Sequence, residues 1–168
     1  MTGPRLVLVG PMGAGKTTVA TLLGEAWGVP VRDTDADIEA AEGRSISEIF
    51  VDDGEERFRL LERAAGTEAL ASHDGVLALG GGAVLDEGTR AALAGHTVVF
   101  LQGGLADAVK RVGLGVGRPL LLGNVRARIK TLLDERTPVY EAVATHVVDT
   151  DGRAPDEVAA EVRELIDG

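Results

Sequence analysis

Residues 5–17 read RLVLVGPMGAGKT, a short apolar run that passes straight into glycines and then into a Lys-Thr pair. From Gly10 to Thr17 the chain fits the phosphate-binding pattern G-x-x-x-x-G-K-[ST] at every fixed position. Glycines allow the backbone to turn so tightly that successive N–H groups converge on the oxygens of a polyphosphate. Lys16 adds a mobile cation for the outer phosphates, and the Thr17 hydroxyl is placed for the magnesium ion that accompanies a nucleotide. Such a loop needs a buried parallel strand before it and a helix after it, whose N-terminal N–H groups favour an anion. Both are legible: Arg5–Val9 is the strand, and Val19, Ala20, Leu22, Leu23, Ala26 and Trp27 form a helical stripe that Gly28 ends.

Further strand segments are predicted at 29–32, 76–79, 97–101 and 147–149, alternating with helical stretches. This alternation predicts an α/β fold, a five-stranded parallel sheet with helices on both faces. The 168 residues show no internal repeat and no linker, so 1–168 reads as a single domain. With no cysteine, disulfides and thiolate metal sites are excluded, and His73, His96 and His146 stand at no metal-ligand spacing. A formal net charge of −10 argues against nucleic acid as a partner. No run reaches the roughly 20 apolar residues of a membrane helix, and a signal-peptide start is missing, so a soluble, cytoplasmic protein is expected. The lack of a long exposed apolar stripe predicts a monomer.

Asp33-Thr34-Asp35 stands at the carboxyl end of the second strand, where α/β folds place ligand chemistry; the competing reading is a helix cap, with Asp35 or Asp37 opening a helix from Asp37 to Glu42. Ser45-Ile-Ser-Glu48 is a capping box. A longer helix is predicted from Glu55 to about Ala71, with Phe58, Leu61, Ala65 and Ala69 facing inward and Arg59 and Glu62 beside Phe58. Gly80-Gly81-Gly82 follows the third strand and offers close backbone approach with free N–H groups, or a plain turn. Helices are predicted at 87–93 and about 105–112, the latter with Lys110 and Arg111. The stretch 113–123 reads as a mobile lid around Arg118, or as a surface loop with a solvated arginine. A helix from Val125 to about Glu135 leads into Arg136-Thr-Pro-Val-Tyr140. Pro155 opens the last helix, with Val158, Val162, Leu165 and Ile166 as its stripe.

Taken together and in this order, GPMGAGKT, the DTD at 33–35, GRSISEIF from Gly43, the spacing of Gly54, Glu55, Phe58, Arg59 and Glu62, the glycine triplet, RPLL from Arg118 and R-x-P-x-Y from Arg136 resemble the bacterial shikimate kinases over nearly the whole chain. The resemblance implies the three-layer P-loop kinase fold of the nucleoside monophosphate kinases, with a phosphate loop at 10–17, a substrate-binding segment at about 33–62 and a lid at about 113–123. It implies transfer of the γ-phosphoryl group of ATP to the 3-hydroxyl of shikimate, on the route to chorismate and the aromatic amino acids. Lys16 and the backbone of Gly13, Ala14, Gly15, Thr17 and Thr18 are then expected to hold the phosphates, with Thr17 on Mg2+ and Asp33 near it through water. Asp35 is expected to bind the substrate hydroxyls and to serve as base. Arg59 and Arg136 would clamp the carboxylate, with Glu62 orienting Arg59, Phe50 and Phe58 forming an apolar wall, Gly81 and Gly82 lending N–H groups and Gly80 beside them at the substrate. Arg118 would reach the transferring phosphate, while Arg111, Arg153 and Pro155 would enclose the adenine.

The chain departs from that pattern modestly: Thr17 replaces the commoner serine, Glu141 stands where a basic residue is frequent, and the lid stretch has no lysine. Rival readings are a gluconate or nucleotide kinase of the same fold and a nucleotide-dependent switch. A GTPase would need a guanine-reading N-K-x-D, which the sequence lacks.

Overall fold

The computed structural model describes residues 3–11, 14–103 and 125–168. Within them the elements are β1 (Leu6–Val9), α1 (Lys16–Trp27), β2 (Val31–Asp33), α2 (Thr34–Glu42), α3 (Ile46–Asp53), α4 (Glu55–Ser72), β3 (Val76–Ala78), a 3-10 turn (Ala83–Leu85), α5 (Glu87–Leu93), β4 (Val98–Gln102), α6 (Val125–Val143), β5 (His146–Asp149) and α7 (Pro155–Asp167). The strands form one parallel sheet in the order β2-β3-β1-β4-β5.

Strand side chains alternate between faces, and the core divides accordingly. Leu6 and Leu8 of β1 pack with Val19, Ala20 and Leu23 of α1 and with Val158 and Val162 of α7. Val7 and Val9 point to the opposite layer, with Ala69 and Leu70 of α4, Leu93 of α5 and Tyr140 of α6. β1 and β3 are neighbours in the sheet, yet the helices that follow them, α1 and α5, lie on opposite faces. The crevice between the carboxyl ends of these two strands is therefore open, the position at which such sheets bind ligands. A third, small core of Ile38, Ile49 and Phe58, with Ile46, Phe50, Leu61 and Ala65 against it, joins α2, α3 and α4 into a platform beside that crevice.

Several boundaries differ from the sequence-based expectation. β2 begins at Val31, not Val29, because Val29 N is spent on the Gly24 carbonyl at the end of α1 at 3.0 Å and Pro30 has no N–H to give the ladder. α2 begins at Thr34 rather than Asp37, because Asp33 is the cap: its Oδ1 accepts from Asp35 N at 2.9 Å and Ala36 N at 3.3 Å. α6 does not stop near Glu135 but runs through Pro138 to Val143. Proline costs a helix one hydrogen bond, and here the turn beyond it is held by Tyr140, fully buried with its ring 5.0 Å from Phe100, and by Val139 and Val143 against the sheet. In α7 the buried face uses Ala159, whereas Leu165 is largely exposed. The expected helix at 105–112 and lid at 113–123 lie outside the described residues.

Candidate active site

The crevice holds a cleft of about 270 Å³ lined by Gly15, Lys16, Thr17, Thr18, Asp33, Asp35, Leu79, Gly80 and Gly81. These residues come from three chain segments, and each arrives at the carboxyl end of a strand: β1 delivers the phosphate loop, β2 the two aspartates and β3 the glycines.

Lys16 opens α1 and folds back over its own loop, where Nζ donates to the carbonyls of Gly10 at 2.7 Å and Pro11 at 3.1 Å. Burial lowers its pKa to about 8 against the opposing pull of Asp35 and Asp33. A desolvated ammonium so placed gains from any anion that enters the loop. Thr17 Oγ1 donates to Asp33 Oδ2 at 2.5 Å, so Asp33 caps α2 with one oxygen and holds the Thr17 hydroxyl with the other. Ala14 is buried in the core below the loop.

Asp35, freed of any capping role, turns into the cleft. Its Oδ1 is buried without a hydrogen-bond partner among the described residues. Burial, with the neighbouring charges of Asp33 and Glu62, pushes its pKa up to about 6, while Lys16 opposes the rise. The close packing of this carboxylate explains one glycine: a Cβ on Gly80 would lie 2.4 Å from Asp35 Oδ1. Gly82 has a parallel reason, since its Cβ would lie 2.3 Å from an Arg59 guanidinium nitrogen.

Arg59 stands on the first turns of α4. Its guanidinium pairs with Glu62 Oε1 at 2.8 Å and with Glu55 Oε2 at 3.2 Å, and Phe58 lies against it at 5.5 Å. Glu62 is only 4% exposed, so its bond to Arg59 is the shielded one. Burial raises the Glu62 pKa, and Arg59 and Arg136 counter that rise. Phe50 and Phe58 are 4.9 Å apart and wall this side. Arg136, on α6, acts on Lys16 and Glu62 through its charge and on Tyr140 through its charge and a hydrogen bond to the hydroxyl, yet it pairs with no carboxylate among the described residues. Among the described residues the site thus brings together Arg59, held by glutamates, and Arg136, with no carboxylate of its own.

At the sheet's far edge Arg153 donates to the Asp149 carbonyl at 2.8 Å and pairs with Glu161 at 2.7 Å, just ahead of Pro155 at the start of α7. It therefore stands in the β5–α7 turn, away from the 270 Å³ cleft. Gly13, Arg111 and Arg118 lie outside the described residues. Two side chains at the site had no role assigned from sequence: Thr34, whose Oγ1 accepts from Gly80 N at 3.1 Å, and Tyr140, whose hydroxyl donates to the Gly81 carbonyl at 2.5 Å. Each sat inside a recognisable motif, but nothing in the one-dimensional pattern says that both reach the same three glycines.

The family pattern described as "SKI: Shikimate kinase" matches residues 12–167. A shikimate kinase of Salinispora arenicola is 63% identical over 163 residues, covering 97% of this chain and 98% of that protein. One of Thermobifida fusca is 60% identical over 156 residues, covering 93% and 91%. Among solved structures, shikimate kinase from Acinetobacter baumannii in complex with shikimate superposes with a TM-score of 0.91 at 35% identity, covering 99% of this chain and 93% of that one. Identity at this level over nearly the full length, on the same fold and with the phosphate loop, aspartates and arginines in place, means that the chain belongs to the shikimate kinase family.

Proposed function

We propose that this chain transfers the γ-phosphoryl group of ATP to the 3-hydroxyl of shikimate, giving shikimate 3-phosphate and ADP. The observation that carries the reading is the buried Asp35 Oδ1, which has no hydrogen-bond partner among the described residues and shares one cleft with the phosphate loop. A buried carboxylate oxygen without a donor is costly, and a substrate hydroxyl would satisfy it. That oxygen is also where a proton must go when the hydroxyl attacks. With a pKa near 6 the group is mostly ionised at neutral pH and still basic enough to accept. A loose phosphoryl-transfer transition state asks for little proton abstraction, so Asp35 serves mainly to orient the attacking oxygen.

The remaining roles follow from charge and position. Lys16 exchanges its two loop carbonyls for β- and γ-phosphate oxygens, with backbone N–H groups of Gly13 to Thr18 around them. Arg136 and Arg59 take the acceptor carboxylate, Arg136 as the cation with no competing carboxylate among the described residues and Arg59 as one already oriented by Glu62. Phe50 and Phe58 supply the apolar wall. Arg118, the catalytic cation of the lid, and Arg111, with Arg153 and Pro155 around the adenine, are assigned on the sequence resemblance alone.

Magnesium fits the donor set. Thr17 Oγ1 and Asp33 Oδ2 are two hard oxygens in contact, and the described residues contain no cluster of three metal-ligating side chains that would suit a tighter cage. Mg2+ keeps several waters and binds through one or two protein oxygens plus phosphates. Thr17 would ligate it and Asp33 would hold it through water; when bound, it would neutralise charge on the phosphates.

None of the described helices is long and apolar enough to cross a membrane. A cytoplasmic monomer without nucleic-acid partners is the working assignment, in keeping with the net charge of −10. The test is ADP release from magnesium-ATP with shikimate, gluconate, AMP or no acceptor in parallel. Turnover with shikimate alone supports the assignment. Turnover with gluconate or AMP instead, or none in a protein that still binds ATP, overturns it.

A further inference from the structure

The backbone of the glycine triplet can be accounted for group by group. Gly80 N–H goes to Thr34 Oγ1, and Gly80 C=O accepts from Ala83 N at 3.1 Å. Gly81 C=O takes the Tyr140 hydroxyl, and Gly82 C=O accepts from Leu85 N at 3.1 Å. Every carbonyl of the triplet is thus engaged, while the N–H groups of Gly81 and Gly82 have no acceptor among the described residues. Gly82 is buried, so an idle donor there is expensive unless a ligand meets it.

The two side chains that hold the triplet come from the elements that carry the acceptor-binding groups. Thr34 is the first residue of α2, adjacent to Asp35, and is 1% exposed. Tyr140 is one helical turn beyond Arg136 on α6 and is fully buried. Neither lines the cleft itself: Thr34 Oγ1 accepts from Gly80 N, and the Tyr140 hydroxyl donates to the Gly81 carbonyl while accepting from Arg136. Three glycines in succession have little conformational preference of their own, so their position depends on what grips them.

We propose that Thr34 and Tyr140 are positioning residues for the acceptor. Their buried hydroxyls grip the triplet from β2–α2 and from α6, and so hold its two free N–H groups in register with Asp35 on one side and Arg136 on the other. The proposal rests on the reading of this cleft as the shikimate site. It explains why a hydroxyl belongs in the middle of the Asp33–Asp35 segment and why the tyrosine follows Arg136 by four residues.

The test removes the hydroxyls without changing shape: Thr34→Val and Tyr140→Phe, with Thr34→Ser as the conservative variant and Arg136→Ala as a control of the site itself. Steady-state kinetics with each substrate varied should show the KM for shikimate raised about tenfold in Thr34→Val and Tyr140→Phe, the cost of one lost hydrogen bond. The KM for ATP should stay within about twofold, and Thr34→Ser should restore the wild-type value. The proposal is overturned if both KM values rise together, or if neither moves while the melting temperature falls, which would make the hydroxyls general fold supports. Should Thr34→Val prove insoluble, Thr34→Ala and Tyr140→Phe decide by the same criteria. If Arg136→Ala also leaves shikimate KM unchanged, the site reading has failed; if it raises KM while the hydroxyl variants do not, only the positioning role has.

Discussion

Replacing Asp35 by asparagine should make the unliganded protein more stable and nearly inactive, with a pH dependence that identifies the cause. Burial first, and then Asp33 and Glu62, raise the carboxyl from its ordinary value near 3.8 to about 6. A folded-state pKa above the unfolded one means that the folded protein binds the proton more tightly, so stability is complete below about pH 4 and is lost as pH rises through 6. A shift of about two units corresponds to about 3 kcal/mol, and partial solvent access at the cleft mouth reduces this to roughly 2–3 kcal/mol at pH 7.5. The attraction of Lys16 is already contained in that shift. Asparagine keeps the shape and removes the charge, so Asp35→Asn should gain this amount at pH 7.5 and almost nothing at pH 4. For a chain of this length the gain is about 5–10 °C in Tm. Urea unfolding of both proteins at the two pH values, at equal ionic strength, measures it; kcat should fall by about 100-fold or more in the same variant. An equal difference at both pH values would show that the carboxylate is not held at a desolvation cost, and a wild type more stable at pH 7.5 would reverse the sign of the reasoning.

Other expectations can be checked with the same preparations. Arg136→Ala should weaken shikimate binding about 10- to 100-fold in calorimetry while leaving ATP affinity nearly intact, because the lost interaction is a charge-assisted pair with a carboxylate; equal loss of both ligands would refute the clamp. Gly82→Ala places a methyl group where the Arg59 guanidinium lies, 2.3 Å away, so Arg59 must withdraw. Shikimate KM should then rise about tenfold with the fold intact by circular dichroism, and an unchanged KM would mean that Arg59 does not touch the acceptor. Arg118→Ala should lower kcat far more than it raises either KM, and a change confined to KM would remove Arg118 from phosphoryl transfer.

The phosphate loop, the alternation of strands and helices and the three glycines after the third strand could be read directly from the chain, because each is a local demand, whereas the acceptor residues were proposed from the family resemblance. A polyphosphate needs consecutive N–H groups, a buried parallel strand needs an apolar run, and an N-cap needs a short polar side chain. Local reading fell short where two local rules competed. Any of several aspartates could have capped α2, and only the close approach of Asp33 to Thr17, 2.5 Å across two segments, selects it and leaves Asp35 for the cleft. Pro138 signals a helix end by every local rule, yet packing of Tyr140 against Phe100 and its hydroxyl bond to Gly81 carry α6 onward.

What the sequence alone determined is therefore the class of chemistry: a nucleotide loop on an α/β sheet, with carboxylates and arginines available for a small anionic acceptor. The tertiary structure decided which of these groups meet and in what state. It leaves Arg136 without a carboxylate among the described residues, ties Arg59 to Glu62, raises the pKa of Asp35 by burial and grips the triplet between Thr34 and Tyr140. The physical reason is that burial and pairing depend on distances between segments far apart in the chain, such as Gly81 and Tyr140, 59 residues apart, and hydrogen-bonding state and pKa depend on burial and pairing.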